Sequence, residues 1–410
     1  MSRIGVAGAF LTGALIHFTT SSGAYAQQHG HGAGRVMVQI GAHAVGVARQ
    51  VSPALLGRDL SEGYLTQPAL MVHAMEPTAH LSFTGMLNLE GLTLRRGELD
   101  HGIWGEGYID RRHPHTYLHD AVATVQGGAL GLSGSLAAGR GFAPFGTDDP
   151  MVRPFVSYPA NHHLSQILER WVAIAALRRG PASLEFGTFN GDEPTGPKSL
   201  GRLSRFGDSW SARATLRPLQ GVELQASYAR VESPELPSGG GLNQRKRNTS
   251  ARFDLPAGPV QFYALVEKAR NVDLHGGLEA FVFESVLGET GLRYRSWRAA
   301  VRYENTTRPE EERRQNLFRS VRPLTDHNIL GVSRWRTWTT SASREIAIGR
   351  GRFTPFAEFA YARVQELDEA AIFDPVALYG DDHIRTVSAG IRIAAGMKHA
   401  RMGRYGAAVE

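Results

Sequence analysis

The sequence predicts an all-β protein: a transmembrane antiparallel β-barrel of about 14–16 strands with long extracellular loops. Many segments alternate apolar and polar side chains with a period of two residues, and turn residues separate these segments. The segments approach the 9–11 residues of a tilted membrane strand, whereas strands of soluble sandwiches are usually about 5–6 residues long. After the N-terminal segment no apolar stretch reaches about 18 residues, which excludes a helical membrane protein.

Residues 1–26 are predicted to be a removable export signal. Arg3 precedes an apolar run at residues 4–18, and a small-residue cleavage site follows at 24–26. The run is short for a bilayer-spanning helix of roughly 20 residues, and glycines interrupt it. The remaining residues, 27–410, are expected to form a single barrel domain.

The clearest predicted strands form hairpins in the second half of the chain. In residues 209–217 an apolar face that includes Trp210 alternates with a polar face that includes Arg213. A turn follows, and residues 222–228 repeat the pattern. The same alternation predicts further strands at 249–255, 260–268, 291–304, 329–346, 352–364 and 386–394.

Strands of the first half are predicted from weaker alternation. Longer polar connections separate some of the strands, and the contrast with short turns is typical of barrels with tight periplasmic turns and long outer loops. The predicted long loops are residues 139–163, 190–205, 232–244, 306–325 and 368–383. The predicted strands of this half are residues 36–49, 70–75, 80–89, 121–126, 129–138, 168–177 and 182–189.

Composition and charge exclude several classes of function. The chain has no cysteine, so neither a disulfide framework nor a thiolate site is possible. The net charge of +6 is modest for 410 residues, and the basic residues are scattered along the chain. An exported chain of this kind is not expected to bind nucleic acid.

A barrel of this size implies a water-filled or plugged interior. Every backbone polar group must be satisfied within the protein in hydrocarbon, so the polar faces of the strands point into the lumen. At about 14–16 strands the lumen is too wide for side chains alone to fill. The candidate lumen-lining residues are Arg213, Arg217, Arg252, Arg293, Arg295, Arg298 and Arg302.

Two interpretations of these arginines remain open. Guanidinium groups stay charged at any relevant pH, so a ring of them favours anions in a confined aqueous pore. Alternatively, the arginines pair across strands with acidic neighbours such as Glu223, Asp254 and Glu304 and simply keep the lumen wet.

The most unusual local sequence is rich in histidine. His113, His115 and His119 are candidate ligands for copper or zinc, although their spacing matches no specific metal signature. A lipid hydrolase that uses Ser157 or Ser165 is a less favoured alternative. The other interpretation is a polar network that folds this segment and the 139–163 loop into the lumen. Its members are Asp110, Arg111, Arg112, His113, His115, His119, Asp120, His162 and His163.

Over nearly the whole mature chain, the strand pattern resembles porin-like outer-membrane β-barrel proteins of Gram-negative bacteria. Three segments look like an uncharacterised group of exported bacterial proteins that supplies no established activity: IDRRHPH at 109–115, GFAPFGTDDP at 141–150 and NHHLSQILER at 161–170. Porin-like barrels commonly end in a strand that closes on a terminal aromatic residue, whereas this chain continues to Glu410. Either Tyr405 supplies that aromatic residue or the last strand lies elsewhere.

The expected function is passive transport of small polar solutes across the bacterial outer membrane, with a mild preference for anions and without catalysis. Expected partners are outer-membrane lipid and the solutes themselves. No cofactor is expected, apart from the divalent metal of the alternative in which the His-rich segment binds copper or zinc.

Overall fold

The computed structural model describes most of the mature chain. The predicted export signal, Asp110, Arg111, Arg112 and His113 lie outside the described residues. The described residues are 36–54, 57–76, 80–94, 115–147, 152–160, 162–311, 329–367, 374–396 and 401–409.

Antiparallel strands make up nearly all of the described structure. Two short helices, α1 (Glu90–Thr93) and α2 (Pro375–Tyr379), lie in connections between strands. Among the described residues, no helix has the length and apolar character needed to cross a membrane. The strands are β1 (Met37–Ser52), β2 (Leu60–Glu76), β3 (Leu81–Asn88), β4 (Leu118–Ala129), β5 (Leu132–Gly141), β6 (Arg170–Arg179), β7 (Ala182–Phe189), β8 (Ser209–Leu219), β9 (Val222–Val231), β10 (Asn243–Ala257), β11 (Val260–His275), β12 (Leu278–Tyr294), β13 (Trp297–Glu311), β14 (Ile329–Arg344), β15 (Ile346–Ile348), β16 (Gly351–Glu366) and β17 (His383–Gly396).

The sheet closes on itself. Each strand pairs with its neighbours in the chain, and β1 pairs with β17 as well as with β2, so that Val47 lies opposite both Tyr64 and Gly390. The short β15 continues β14 along β16, so the structure is a closed barrel of 16 strands. The prediction of an antiparallel barrel of about 14–16 strands is confirmed.

The faces of the strands are inverted relative to a soluble protein. In β8, Trp210 on the outer face is 37% exposed, whereas Ser211 and Arg213 on the inner face are 0% and 1% exposed. Alternation places apolar side chains outside and polar ones inside, which suits an outer-membrane barrel in lipid. Other exposed apolar residues on the outer face include Leu136, Leu177, Leu184, Leu216, Leu292 and Val387.

The two ends of the barrel differ. Two-residue turns join strands at one end, for example between β8 and β9 and between β10 and β11, and we call this the short-turn end. Most connections at the other end, the long-loop end, are long. The exception joins β11 to β12 through Gly276 and Gly277, whose φ angles of 58° and 89° suit a tight hairpin turn that other residues rarely adopt.

Two strands were largely missed by the sequence prediction: β2, which begins at Leu60 but was predicted from residue 70, and β12. The prediction began β12 at residue 291, whereas the strand begins at Leu278. Alternation is inverted in its first half because the inward Phe283 is buried in an apolar cluster with Leu164 and Ala269, while the neighbouring Glu284 is exposed. The closing strand β17 ends at Gly396, so Tyr405 does not lie in it.

Candidate functional site: the barrel lumen

A segment of the chain fills part of the lumen. Residues 142–169 connect β5 to β6, and we call them the inserted segment. Its side chains Phe145, Phe155 and Tyr158 have exposed fractions of only 3%, 1% and 3%. The inserted segment overlaps the predicted loop at 139–163, and its described part packs against the inner face of the barrel.

The inner face is apolar where the inserted segment packs on β6 and β7. Phe145 and Ile167 of the segment belong to one buried cluster with Val172, Ile174 and Phe189 of the wall. The sequence prediction of a polar inner face is therefore wrong for this part of the barrel. The inward residues can be apolar here because the inserted segment, rather than water, contacts them.

Carboxylates of the opposite wall bind the backbone of the inserted segment. Glu358 of β16 accepts hydrogen bonds from the amides of Val156 (2.5 Å) and Ser157 (3.1 Å). Glu304 of β13 accepts one from the amide of Ala160 (2.7 Å). These charge-assisted bonds satisfy backbone donors that the segment's irregular conformation leaves without strand partners.

A third carboxylate binds side chains of the inserted segment. Glu267 of β11 accepts a hydrogen bond from Ser165 Oγ (2.6 Å) and another from Thr147 Oγ1. Arg153 of the segment lies between Glu267 (3.4 Å) and Glu289 of β12 (3.5 Å). The inserted segment therefore bonds to four wall carboxylates: Glu267, Glu289, Glu304 and Glu358.

Arginines of the wall bind the carbonyl groups of the same segment. Arg302 donates to the carbonyl oxygens of Ser157 (2.9 Å) and Tyr158 (3.2 Å), and its guanidinium lies 4.7 Å from the ring centroid of Phe155. Arg392 of β17 donates to the carbonyl of Arg153 (3.3 Å). The wall therefore forms hydrogen bonds with both the amide groups and the carbonyl groups of the inserted segment's backbone.

The predicted lumen-lining arginines lie in three places: at mid-height of the barrel, near its short-turn end, and in one turn between strands. Arg213 and Arg302 lie on the inner face at mid-height and are buried, whereas the other inward arginines lie near the short-turn end and are half-buried. Arg295 was predicted on the same face, but it lies in the two-residue turn between β12 and β13, with φ of 53° and its guanidinium over the ring of Tyr294. The half-buried inward arginines of the predicted set are Arg217, Arg252, Arg293 and Arg298.

The C-terminal segment, residues 401–409, also lies against the inner wall. Tyr405 Oη donates to Asp120 of β4 (2.9 Å) and accepts from the amide of Phe142 (3.1 Å). Burial raises the pKa of Tyr405 well above its ordinary value, and the neighbouring Asp120 adds to this, so the hydroxyl remains a donor. The amide of Ala407 donates to Ser135 Oγ (2.9 Å). The inserted segment and the C-terminal segment therefore meet at Tyr405.

Three arginines share one carboxylate near the short-turn end. Glu223 of β9 accepts hydrogen bonds from Arg217 (3.1 Å), Arg401 (2.6 Å) and Arg404 (2.7 Å). Arg252, opposite Glu223 in the sheet, bonds to Asp254 (2.5 Å). In this group positive side chains outnumber carboxylates, which raises the electrostatic potential of the adjacent lumen.

A cavity of about 460 Å³ opens beside the C-terminal segment. Inward residues of β2, β3, β4 and β5, mostly hydroxyl, amide and imidazole side chains, form one wall, and Arg178, Arg404 and Tyr405 lie on the other side. The cavity is large enough for a small polar solute. It extends along the short-turn half of the lumen.

The described histidines of the predicted network form two groups. His115 and His119 stack with ring centroids 4.8 Å apart, and His119 Nδ1 lies 2.7 Å from Glu169 Oε1. His162 and His163 lie a few residues before Glu169; His162 packs edge-on to Tyr158, and His163 borders the same small cavity as His115 and Glu169. Asp120, next to His119, faces the C-terminal segment.

The candidate hydrolase serines have structural partners. Ser157 Oγ accepts a hydrogen bond from Arg49 (2.7 Å), and Ser165 Oγ donates to Glu267. Both hydroxyls belong to the contacts that hold the inserted segment.

Sequence reasoning missed the wall carboxylates and the C-terminal segment. Glu185, Glu267, Glu289 and Glu358 lie at inward positions of predicted strands or their extensions, so alternation could have identified them. No pattern in residues 401–409 indicates that they fold back, because their contacts come from distant strands.

The barrel is similar to solved outer-membrane proteins at low sequence identity. It matches an anion-selective porin from Comamonas acidovorans with a TM-score of 0.52 and 10% identity, over 88% of this chain and 100% of that chain. It also matches OmpTdeltaL8, a loop L8 deletion mutant of OmpT, an outer membrane protein of Vibrio cholerae, with a TM-score of 0.51, 9% identity and coverage of 88% and 99%. No family model and no curated protein sequence matches the chain.

These likenesses show that the chain shares the closed antiparallel barrel fold of these outer-membrane proteins. The narrower resemblance carried by the segments IDRRHPH and NHHLSQILER stays a prediction.

Proposed function

We propose that the mature chain, residues 27–410, is a porin-like channel for passive transport of small polar solutes across the bacterial outer membrane. The observation that carries the proposal is the closed barrel with an apolar outer face and a polar, charged lumen. Such a surface is stable in lipid and encloses an aqueous path. The predicted export signal is consistent with this location.

The path through the lumen is narrow. The inserted segment occupies the middle of the barrel, and the C-terminal segment lies along β4, β5 and β6 towards the short-turn end. The cavity of about 460 Å³ beside Tyr405 lies in the short-turn half of the lumen. Solutes comparable in size to a monosaccharide or a small organic acid fit such a volume.

We infer a mild preference for anions. The group around Glu223 and the neighbouring Arg252, Arg293 and Arg298 contain more guanidinium groups than carboxylates. Positive side chains at a water-filled constriction attract anions and repel cations. By contrast, the wall carboxylates at mid-height are bonded to the inserted segment.

The test is ion conduction by the purified, refolded full chain in planar bilayers, with the reversal potential measured in a KCl gradient. The wild type is expected to conduct and to favour chloride over potassium by about twofold. The variant R217Q/R252Q/R298Q is expected to shift the reversal potential towards potassium. The matched control R230Q/R247Q/R363Q removes the same charge from exposed positions near the long-loop end and should shift it less.

Two results would overturn parts of the proposal. A correctly folded barrel that conducts no ions and admits no small solute in liposome swelling contradicts the transport function. A conducting barrel that favours potassium contradicts the anion preference alone.

A further inference from the structure

A buried group of metal-binding side chains lies where the long-loop end of β4 meets the end of the inserted segment. His115 and His119 flank the start of β4, and Glu169 directly precedes β6. All three side chains are buried, and one potential ligand atom from each lies within 4.8 Å of the others. A tetrahedral zinc ion with bonds of about 2.05 Å needs ligand atoms about 3.4 Å apart, so the three side chains would have to adjust their positions around a bound ion.

We propose that His115, His119 and Glu169 bind a divalent transition metal ion, zinc or copper, with water as a further ligand. Two imidazoles and one carboxylate form a donor set that proteins use for zinc with an open coordination position. Imidazole also suits copper, and hard cations such as magnesium prefer oxygen ligands instead. The predicted site comprised His113, His115 and His119, so Glu169 is the ligand that the fold adds.

The backbone at two of these residues is irregular in ways that aim the side chains together. The pairing of β3 with β4 shifts register between Leu87, opposite Leu118, and Met86, opposite Asp120, which makes His119 the extra residue of a bulge. Bulges redirect a side chain and occur often beside functional sites. Glu169 has φ of 57°, in the left-handed region that residues other than glycine rarely adopt.

The surroundings fix the ligands in place. Glu169 Oε1 accepts hydrogen bonds from the amide of Thr116 (2.8 Å) and from His119 Nδ1 (2.7 Å).

A second carboxylate lies beside the other histidine. Glu90 Oε2 lies 3.8 Å from His115 Nδ1 and accepts from the His115 amide (3.4 Å). Glu90 is itself held by Thr66 Oγ1 (2.8 Å) and the amide of Gln67 (2.7 Å). A carboxylate behind a histidine is the usual arrangement around metal-binding imidazoles.

Space and charge also permit an ion. A cavity of about 30 Å³, the volume of one water molecule in the liquid, is bordered by His115 and Glu169. Arg140 is a nearby cation and donates to Thr116 Oγ1 (3.1 Å), so it opposes a dication. Glu90 and Glu169 together carry the two negative charges that balance a dication, and Glu193 forms an ion pair with Arg170 in the lining of the same cavity.

The experiment titrates Co²⁺, as a spectroscopic probe of a zinc site, into the metal-free, refolded full chain in detergent. The wild type is expected to bind one equivalent, to develop the intense visible bands of four-coordinate Co²⁺, and to lose them when Zn²⁺ is added. E169Q and H119N are expected to bind at least about tenfold more weakly. The matched control H73A removes a lumen histidine elsewhere, on β2, and should bind like the wild type.

Folding is checked for each variant by its heat-sensitive electrophoretic mobility. If H119N fails to fold, E169Q and the wild-type spectrum still decide. Absence of stoichiometric binding by the wild type would overturn the proposal, and so would E169Q and H119N that bind as tightly as the wild type.

Discussion

Charged side chains have different partners in the middle of the lumen and at its short-turn end. At mid-height, carboxylates such as Glu304 and Glu358 are bonded to backbone amides of the inserted segment, and Arg302 is bonded to its carbonyl groups. Near the short-turn end, Arg217, Arg401 and Arg404 converge on the single carboxylate of Glu223.

Charged side chains of the same types therefore serve two purposes in one barrel, holding the inserted segment and selecting ions. A charge that is bonded to protein groups holds structure and contributes little to ion selection, because its field is locally compensated. An excess of one sign beside water biases the passing ions. The following predictions test this division, from the largest expected effect to the smallest.

Removal of the inserted segment should change conduction most. A Cβ on Gly146 would touch the carbonyl of Ser165, so these positions are adjacent and a two-glycine linker can replace residues 147–164. The lumen then gains width, and Glu267, Glu304 and Glu358 face water. Single-channel recordings should show a several-fold higher conductance and a shift towards cations. Unchanged conductance would mean that the inserted segment does not narrow the path.

Removal of residues 401–410 should change conductance less than removal of the inserted segment does. The deletion widens the short-turn half and removes Arg401 and Arg404 but leaves Glu223, so conductance should rise while the anion preference falls. The same recordings measure both quantities. R401Q/R404Q, which keeps the length of the chain, is the control and should lower the anion preference with little gain in conductance.

The substitution E223Q should shift selectivity in the reverse direction. It removes the carboxylate that Arg217, Arg401 and Arg404 share, so the chloride to potassium permeability ratio should rise by roughly twofold. The same substitution at Glu358, whose oxygens bind the amides of Val156 and Ser157, should change the ratio less. Equal shifts in the two variants would contradict the division between the two regions.

Loss of one hydroxyl at the junction of the two lumen segments should give the smallest effect. Y405F removes the hydrogen bonds to Asp120 and from the amide of Phe142, which lowers the free energy of unfolding by about 1–3 kcal/mol. Urea unfolding in lipid vesicles measures this. The control Y303F removes a hydroxyl from a ring that packs on Trp338 and should cost less than about 0.5 kcal/mol. Equal losses would show that Tyr405 does not anchor the C-terminal segment.

Much of the wall was predictable and much of the lumen was not. Trp210, Arg213 and their neighbours follow the two-residue period, because each strand separates a lipid-facing side from an inner side. The prediction failed at Phe283, which points inward but is apolar because Leu164 of the inserted segment packs on it. Arg295 could not be separated from the inward arginines, because the period gives no position for the turn that contains it.

Part of the candidate metal site was predictable from the sequence and part was not. His115 and His119 stood out from the sequence, whereas their partner Glu169 is 50 residues away from His119 in the chain. Spacing along the sequence identifies ligands only when they lie on one element. A ligand contributed by another strand is recognised only when the fold brings it near.

Side-chain alternation alone predicted a barrel of about 14–16 strands that is apolar outside and polar inside, since it depends only on the residues of each strand. Only the tertiary structure decided what the lumen contains. The described parts of residues 142–169, together with residues 401–409, lie inside the barrel because distant side chains, such as Glu358, Glu223 and Asp120, supply hydrogen bonds to their irregular backbones and to their arginine and tyrosine side chains.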